Sequence, residues 1–385
     1  MDFADSAAMQ ALRKTVSDIA GSFGGSYYAA RAHSGRSCTE LWEALGGAGF
    51  LGVNVPEEYG GGGGGLSELA AVCEETAAQG CPLLLVVVSS AVCGEVLARY
   101  GSTEQKQRWL PGIASGERKM VFAITEPDAG SNTHRLASTA TRDGQDWVLR
   151  GTKYYISGAD EAEAIMVVAR TGRHEATGQA RLSLLIVPAG APGLTARPLP
   201  VDLMLPERQF TLHFDDVRLG RDALVGAEGE GFGQVFHGLN PERITGAAHG
   251  VGIARYALSR AADYARTRQV WDQPVGAHQG IAHPLAKAKI ETELAGLMTR
   301  KAAWLHDHGR PAGEAANMAK YAAGEAAIAA VDQAIQVHGG NGVSAEFGLM
   351  PLWGMARLLR IAPVSREMIL NHVAQHSLGL PKSYA

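Results

Sequence analysis

The chain has little cysteine. Its four residues, Cys38, Cys73, Cys81 and Cys93, all lie in the first quarter, with no CxxC pair and no metal-ligating spacing from histidine. That argues against a disulfide framework or zinc module and makes buried, reduced thiols the expectation. An excess of positive charge is also missing. With 35 Lys and Arg against 39 Asp and Glu, the formal charge of -4 offers no basic field for nucleic acid or an anionic membrane. No stretch reaches the roughly 18 consecutive apolar residues of a membrane helix. The most apolar one, from Cys81 to Tyr100, is broken by serines, a glycine and a glutamate. The opening residues mix charges into helical spacing and lack the apolar run and cleavage site of a secretory signal, so a cytoplasmic location is expected. His134, His249, His278 and His338 form no metal spacing and read as surface or core histidines.

What is present is a core. At 385 residues and 46% hydrophobic, the chain is long enough for two or three domains. Three periodicities divide it. Residues 1–119 repeat apolar positions every three or four residues, as in LSELAAVCEETAAQG, and predict an all-helical domain. Residues 120–228 alternate in short runs such as AIMVVART and QFTLHFDDVRL, with Gly, Pro and Asp turns between them. Without long intervening helices, that pattern predicts an antiparallel β-barrel or sandwich. Residues 229–385 return to helical spacing with much alanine, which suits a four-helix bundle of closely approaching helices. The fold class is therefore α+β. The glycine run at 60–65 has no strand before it and no Lys-Ser or Lys-Thr after it, so it reads as a flexible connector, not a phosphate loop.

Four strings stand in register across this plan: FAITEPDAGSNT from Phe122, GTKYYISGA from Gly151, RTRQVWDQPVGAHQGIAH from Arg266 and QVHGGNGVSAEFGL from Gln336. Together with the order of helices, sheet and helices, they make the whole chain resemble the acyl-CoA dehydrogenase family. The resemblance implies FAD. Phe122, Thr125 and the backbone around Ile124 would meet the isoalloxazine, and Tyr155 and Ser157 would cover its other side. Much of the family has tryptophan at Tyr155, and tyrosine keeps the aromatic face. Ser131 corresponds to a serine where flavin and thioester meet. Arg268, Trp271 and Gln279 match positions at the pyrophosphate and adenine end, where an arginine fork suits phosphate. Gln336, Gly339 and Gly340 match residues that complete that end from a neighbouring subunit, which implies an oligomer, usually a tetramer arranged as a dimer of dimers.

The implied reaction is dehydrogenation of an acyl-CoA to the trans-2-enoyl-CoA: a carboxylate takes the α-proton while flavin N5 accepts the β-hydride. Most relatives carry that acid in a C-terminal loop, where this chain reads Arg360-Ile-Ala-Pro-Val-Ser365. Isovaleryl-CoA and long-chain acyl-CoA dehydrogenases instead place a glutamate before an arginine on a helix, and Glu242-Arg243 fits that arrangement. Glu242 is thus the expected base, and Arg243 a support for it or for the acyl-CoA. This placement also implies tolerance of branched acyl chains. Pro363 falls where relatives offer a backbone N–H to the thioester oxygen; Ala362 or Val364 would then donate, or the oxyanion site differs. Ser365 matches a threonine near the flavin. The resemblance further implies a separate electron-transfer flavoprotein as acceptor. A carrier-protein-linked acyl dehydrogenase and a flavin oxidase or monooxygenase are the alternatives within the fold.

Overall fold

The computed structural model describes residues 4–382. Helices lead: α1 (Ala7–Ser34), α2 (Thr39–Gly47), α3 (Leu66–Ala78), α4 (Glu95–Tyr100) and α5 (Thr103–Ser115), with a π-helical stretch, Val86–Gly94, running into α4. Local chemistry sets their ends. Ser102 accepts from Gln105 N–H while the Gln105 side chain accepts from Ser102 N–H, a reciprocal cap that starts α5. α3 is capped from afar: Asp307 accepts from the backbone N–H of Leu66 at 2.7 Å and of Ser67 at 3.0 Å. The glycine run before it is not a loose connector. Gly62, Gly63 and Gly64 donate to Gly52, Val55 and Val53 at 2.8–2.9 Å, and a Cβ on Gly61 would lie 2.1 Å from Val55 O. The glycines are there so that two backbones can touch.

The sheet comprises β1 (Met120–Ala123), β2 (Thr139–Asp143), β3 (Asp146–Ser157), β4 (Ala164–Arg173), β5 (Ala180–Pro188), β6 (Leu194–Pro198), β7 (Gln209–Leu219) and β8 (Leu224–Val225). Its order is β6-β7-β3-β2-β4-β5-β8, with β1 also beside β4. Two features depart from an antiparallel barrel. β1 runs parallel to β4, as does the short contact of β2 with β4, and β6 and β8 end an open path. The cause is the link from β1 to β2. It is a long loop and not a hairpin, so the chain re-enters the sheet in its first direction, which alternation alone does not reveal.

Three long helices follow: α6 (Gly231–Thr267), α7 (Gln279–Asp307) and α8 (Gly313–His338). Between α6 and α7 lies a small hairpin of β9 (Gln269–Val270) and β10 (Gln273–Pro274). Small residues let the helices close up. A Cβ on Gly250 would sit 3.0 Å from Ala323 O of α8, and one on Gly252 would sit 2.3 Å from Glu74 O of α3. The expected fourth bundle helix is short. After α9 (Leu349–Leu358), α10 (Arg366–His372) covers one side of α8 and passes into a π turn at Val373–Ser377. Ion pairs knit the layers: Arg13 of α1 and Arg255 of α6 both grip Glu74 and Glu75 of α3. All four cysteines are free and buried, and burial pushes each thiol up. Among the described residues no helix is long and apolar enough to cross a membrane.

Candidate active site

The turn after β1 is built on a buried charge. Glu126 accepts from the N–H of Ala137 at 2.6 Å and Ser138 at 3.0 Å, and Lys153 of β3 donates to it at 2.8 Å. The same ammonium donates to Ile124 O at 2.9 Å. Burial pushes Lys153 down to about 8 against the pull of Glu126. Burial acts to raise Glu126, but Lys153 and the two N–H donors outweigh it and hold the carboxyl low. Tyr154 N–H donates to Thr125 O at 2.9 Å, so the strand ends of β1 and β3 are locked side by side. That brings together Phe122, Ile124, Thr125, Tyr155 and Ser157. The Tyr155 backbone has φ +57° and the residue is 55% exposed. Ser157 Oγ donates to Gln209 Oε1 at 3.0 Å. Ser131 lies on the exposed β1–β2 loop, where a Cβ on Gly130 would meet nothing within 4 Å. Two hydroxyls, an exposed ring and an open glycine ledge fit a flat heterocycle with hydrogen-bonding edges.

Glu242 stands on α6, three turns into the helix and not in the first turn that Asn240-Pro241 suggests. Glu242 is itself partly exposed, while the residues from Arg243 to Ala254 are all buried. Burial pushes the Glu242 carboxyl up to about 7, with Arg243 and Lys320 opposing. Arg243 donates from Nη1 to Asn240 Oδ1 at 3.0 Å, and burial lowers its guanidinium against the pull of Glu242. Lys320, on α8, is buried. It donates to Val364 O at 2.5 Å, and burial pushes it down to about 8 while Glu242 holds it up. The Cys93 thiol also feels the Glu242 charge, which places the π stretch near the carboxylate.

The loop at 360–365 is fastened to the same helix. Arg360 makes two hydrogen bonds to Glu325, at 2.7 and 2.8 Å, and Arg366 adds a third at 3.1 Å. Pro363 brings no N–H, and the Ala362 N–H is taken by Leu358 O at 2.9 Å. Among the described residues the Val364 N–H has no partner. Ser365 caps α10, accepting from Met368 N–H at 3.3 Å.

The remaining sequence-derived residues form a second group. Arg268 ends α6, Trp271 is 86% exposed on the β9–β10 hairpin, and Gln279 opens α7. Gln336, Gly339 and Gly340 are exposed at the end of α8, and Gly339 takes φ +58°. Their turn leans on the same end of α6: His338 stacks on Tyr264 at 4.2 Å, and Asn341 donates to the Tyr264 hydroxyl at 3.2 Å. Along α6, Glu242 and Arg268 are about 39 Å apart at 1.5 Å per residue. One chain therefore holds the two groups well apart along one helix. Sequence reading passed over Lys153, Glu126 and Lys320. The first two stand inside the strings that carry the resemblance, and Lys320 is a lone lysine in the alanine-rich stretch Ala315–Ala327. Among the described residues no cluster of His, Cys, Asp and Glu could hold a metal ion.

Comparison with known proteins agrees with this geometry. The acyl-CoA dehydrogenase N-terminal, middle and C-terminal domain families match residues 6–117, 121–217 and 229–378. The chain belongs to the acyl-CoA dehydrogenase family, a family of oxidoreductases. It is 56% identical over 384 residues to acyl-CoA dehydrogenase FadE12 of Mycobacterium tuberculosis, covering 99% of each chain. It is 37% identical over 339 residues to the human mitochondrial short-chain specific acyl-CoA dehydrogenase, covering 87% of this chain and 81% of that one. Among solved structures, a glutaryl-coenzyme A dehydrogenase bound to glutaryl-CoA superposes with a TM-score of 0.94 at 30% identity, over 100% of this chain and 98% of the other. Butyryl-CoA dehydrogenase from Megasphaera elsdenii does so at 0.92 and 27% identity, over 98% and 100%.

Proposed function

We propose that the chain is an FAD-dependent acyl-CoA dehydrogenase that converts an acyl thioester to the trans-2-enoyl thioester, with Glu242 as the base. The observation that carries this is the Glu242 carboxyl. It is pushed up to about 7 by burial, and it stands beside a loop whose usual acid is replaced by Pro363. A carboxylate at that pKa is basic enough to take an acidified α-proton and is still largely ionised at physiological pH. Arg243 and Lys320 supply the countercharges that keep it so.

Phe122, Ile124, Thr125, Tyr155 and Ser157 would hold the isoalloxazine, with Ser131 between it and the thioester and Ser365 nearby. Bound there, FAD supplies the acceptor for the β-hydride. The Val364 N–H, held in place by Lys320 on the next carbonyl, is the donor to the thioester oxygen, since Ala362 is engaged and Pro363 has none. Arg243 supports the base from the adjacent position.

The second group, Arg268, Trp271, Gln279, Gln336, Gly339 and Gly340, serves the dinucleotide of a neighbouring copy, because about 39 Å of helix separates it from Glu242 in its own chain. This reading moves Arg268, Trp271 and Gln279 to the same donor subunit as Gln336. An exposed apolar stripe on α7, Ile290, Leu294, Leu297 and Trp304, offers the contact between copies in a tetramer. The domains divide at 119/120 and 228/229, the location is cytoplasmic, and electrons leave to an electron-transfer flavoprotein. The test is product analysis. With an acyl-CoA and an artificial electron acceptor, the thioester should lose two hydrogens to give the 2-enoyl form without oxygen uptake. Peroxide release in air, or no desaturated product, would contradict it.

A further inference from the structure

In the three turns of α6 that follow Glu242 stand three glycines that differ in what surrounds them. Gly250 and Gly252 press against the backbones of α8 and α3, so close packing accounts for their lack of a side chain. Gly246 is buried too, yet a Cβ built on it would meet nothing within 4 Å. It borders empty space inside the protein. Gly246 follows Glu242 by four residues, and His249 follows it by seven, so all three share one face of the helix. His249 is fully buried, at 0% exposure, and neither Nδ1 nor Nε2 has a hydrogen-bond partner. Buried polar groups in folded proteins are nearly always paired, and an imidazole with both nitrogens idle is a group set aside for something else.

Resting on Glu242 as the base, we propose that His249 is the specificity-determining floor of the acyl pocket, selecting a thioester whose chain carries a neutral hydrogen-bonding oxygen, a hydroxyl or carbonyl. Seven residues of helix place His249 about 10 Å beyond Glu242, on the side where α6 enters the core. The open space beside Gly246 lies between them along the helix. Burial pushes the imidazole down to about 4, so at neutral pH it presents one N–H donor and one lone pair. That suits an uncharged oxygen, and a carboxylate there would face no cation on the ring. A purely apolar chain reaching the same depth would leave both nitrogens unpaired.

The test compares kcat/KM for pairs of acyl-CoAs of equal length, one straight and saturated, the other with a hydroxyl or oxo group near the far end, across chains of six to ten carbons. At one length the oxygenated member should be favoured by about tenfold or more, the discrimination expected when a buried polar group gains its partner. His249→Leu should collapse that ratio to near one or invert it. His249→Leu also changes core packing, so Gly246→Val gives a second reading: filling the space should lower the ratio of long-chain to short-chain kcat/KM by at least tenfold. Flavin absorbance per protein reports whether each variant has folded. An oxygenated preference that survives His249→Leu, no preference at any length, or a favoured carboxylate-ended chain would overturn the inference and leave the base assignment standing. Failure of every thioester with wild type would remove both.

Discussion

If Glu242 is the base, as proposed, it works only when ionised, and its carboxyl, pushed up to about 7 by burial, would set the acid side of the pH profile. kcat/KM should rise with pH through about 7 and flatten above it, because below that value the base already holds a proton. Lys320 opposes the upward push on Glu242. Lys320→Met should therefore move the acid limb to higher pH and lower kcat, since it also frees the Val364 carbonyl, whereas Lys320→Arg should restore the limb. A pH–rate series on the three proteins checks this, and an unmoved limb in Lys320→Met would remove the coupling. The proposal of Glu242 rests on two signs in the sequence that agree: an acid before Arg243 and no acid near Pro363. Lys320 was not legible, since a lysine on an alanine-rich helix reads as a solvated charge until burial and the Val364 carbonyl are seen. His249 was passed over for a similar reason, because periodicity says that it is inside but not that its nitrogens are idle.

At the scale of elements, strand ends and helix contacts position the chemistry. The Lys153–Glu126 pair fixes the turn that bears Thr125. Lys153→Met leaves a buried carboxylate unpaired, so it should cost about 3–5 kcal/mol and release flavin, read by denaturant unfolding and by bound flavin per chain. Gly252→Ala forces a methyl against Glu74 O and should destabilise by about 1–3 kcal/mol, while the same change at Gly246 meets only space and should cost far less. Melting of the two variants side by side decides it. Strands β3, β4, β5 and β7 and helices α3 and α5–α8 were readable from period and turn residues. The parallel entry of β1 was not, because direction depends on a long loop and not on alternation. The glycine run at 60–65 was misread for a related reason: composition marks a turn former, but the partner backbone at residues 52–55 is what makes it rigid.

For the whole molecule, α6 is the ruler. On the proposed reading, Glu242, three turns into it, and Arg268 at its C-terminal end are too far apart to serve one cofactor, so the complete site would belong to an assembly. Leu294→Asp, on the exposed stripe of α7, should lower the mass seen by light scattering and reduce flavin retention together. Loss of mass with full flavin would separate the two. The order of helices, sheet and helices was legible because three periodicities succeed one another, but the distance between the two ends of α6 needed coordinates. The proposed chemistry turns on the carboxylate of Glu242, and the most direct measurement is anaerobic mixing of Glu242→Gln with an acyl-CoA that wild type oxidises. The variant should bind flavin as wild type does while its flavin absorbance bleaches about 10²–10⁴ times more slowly. Bleaching at the wild-type rate would contradict it.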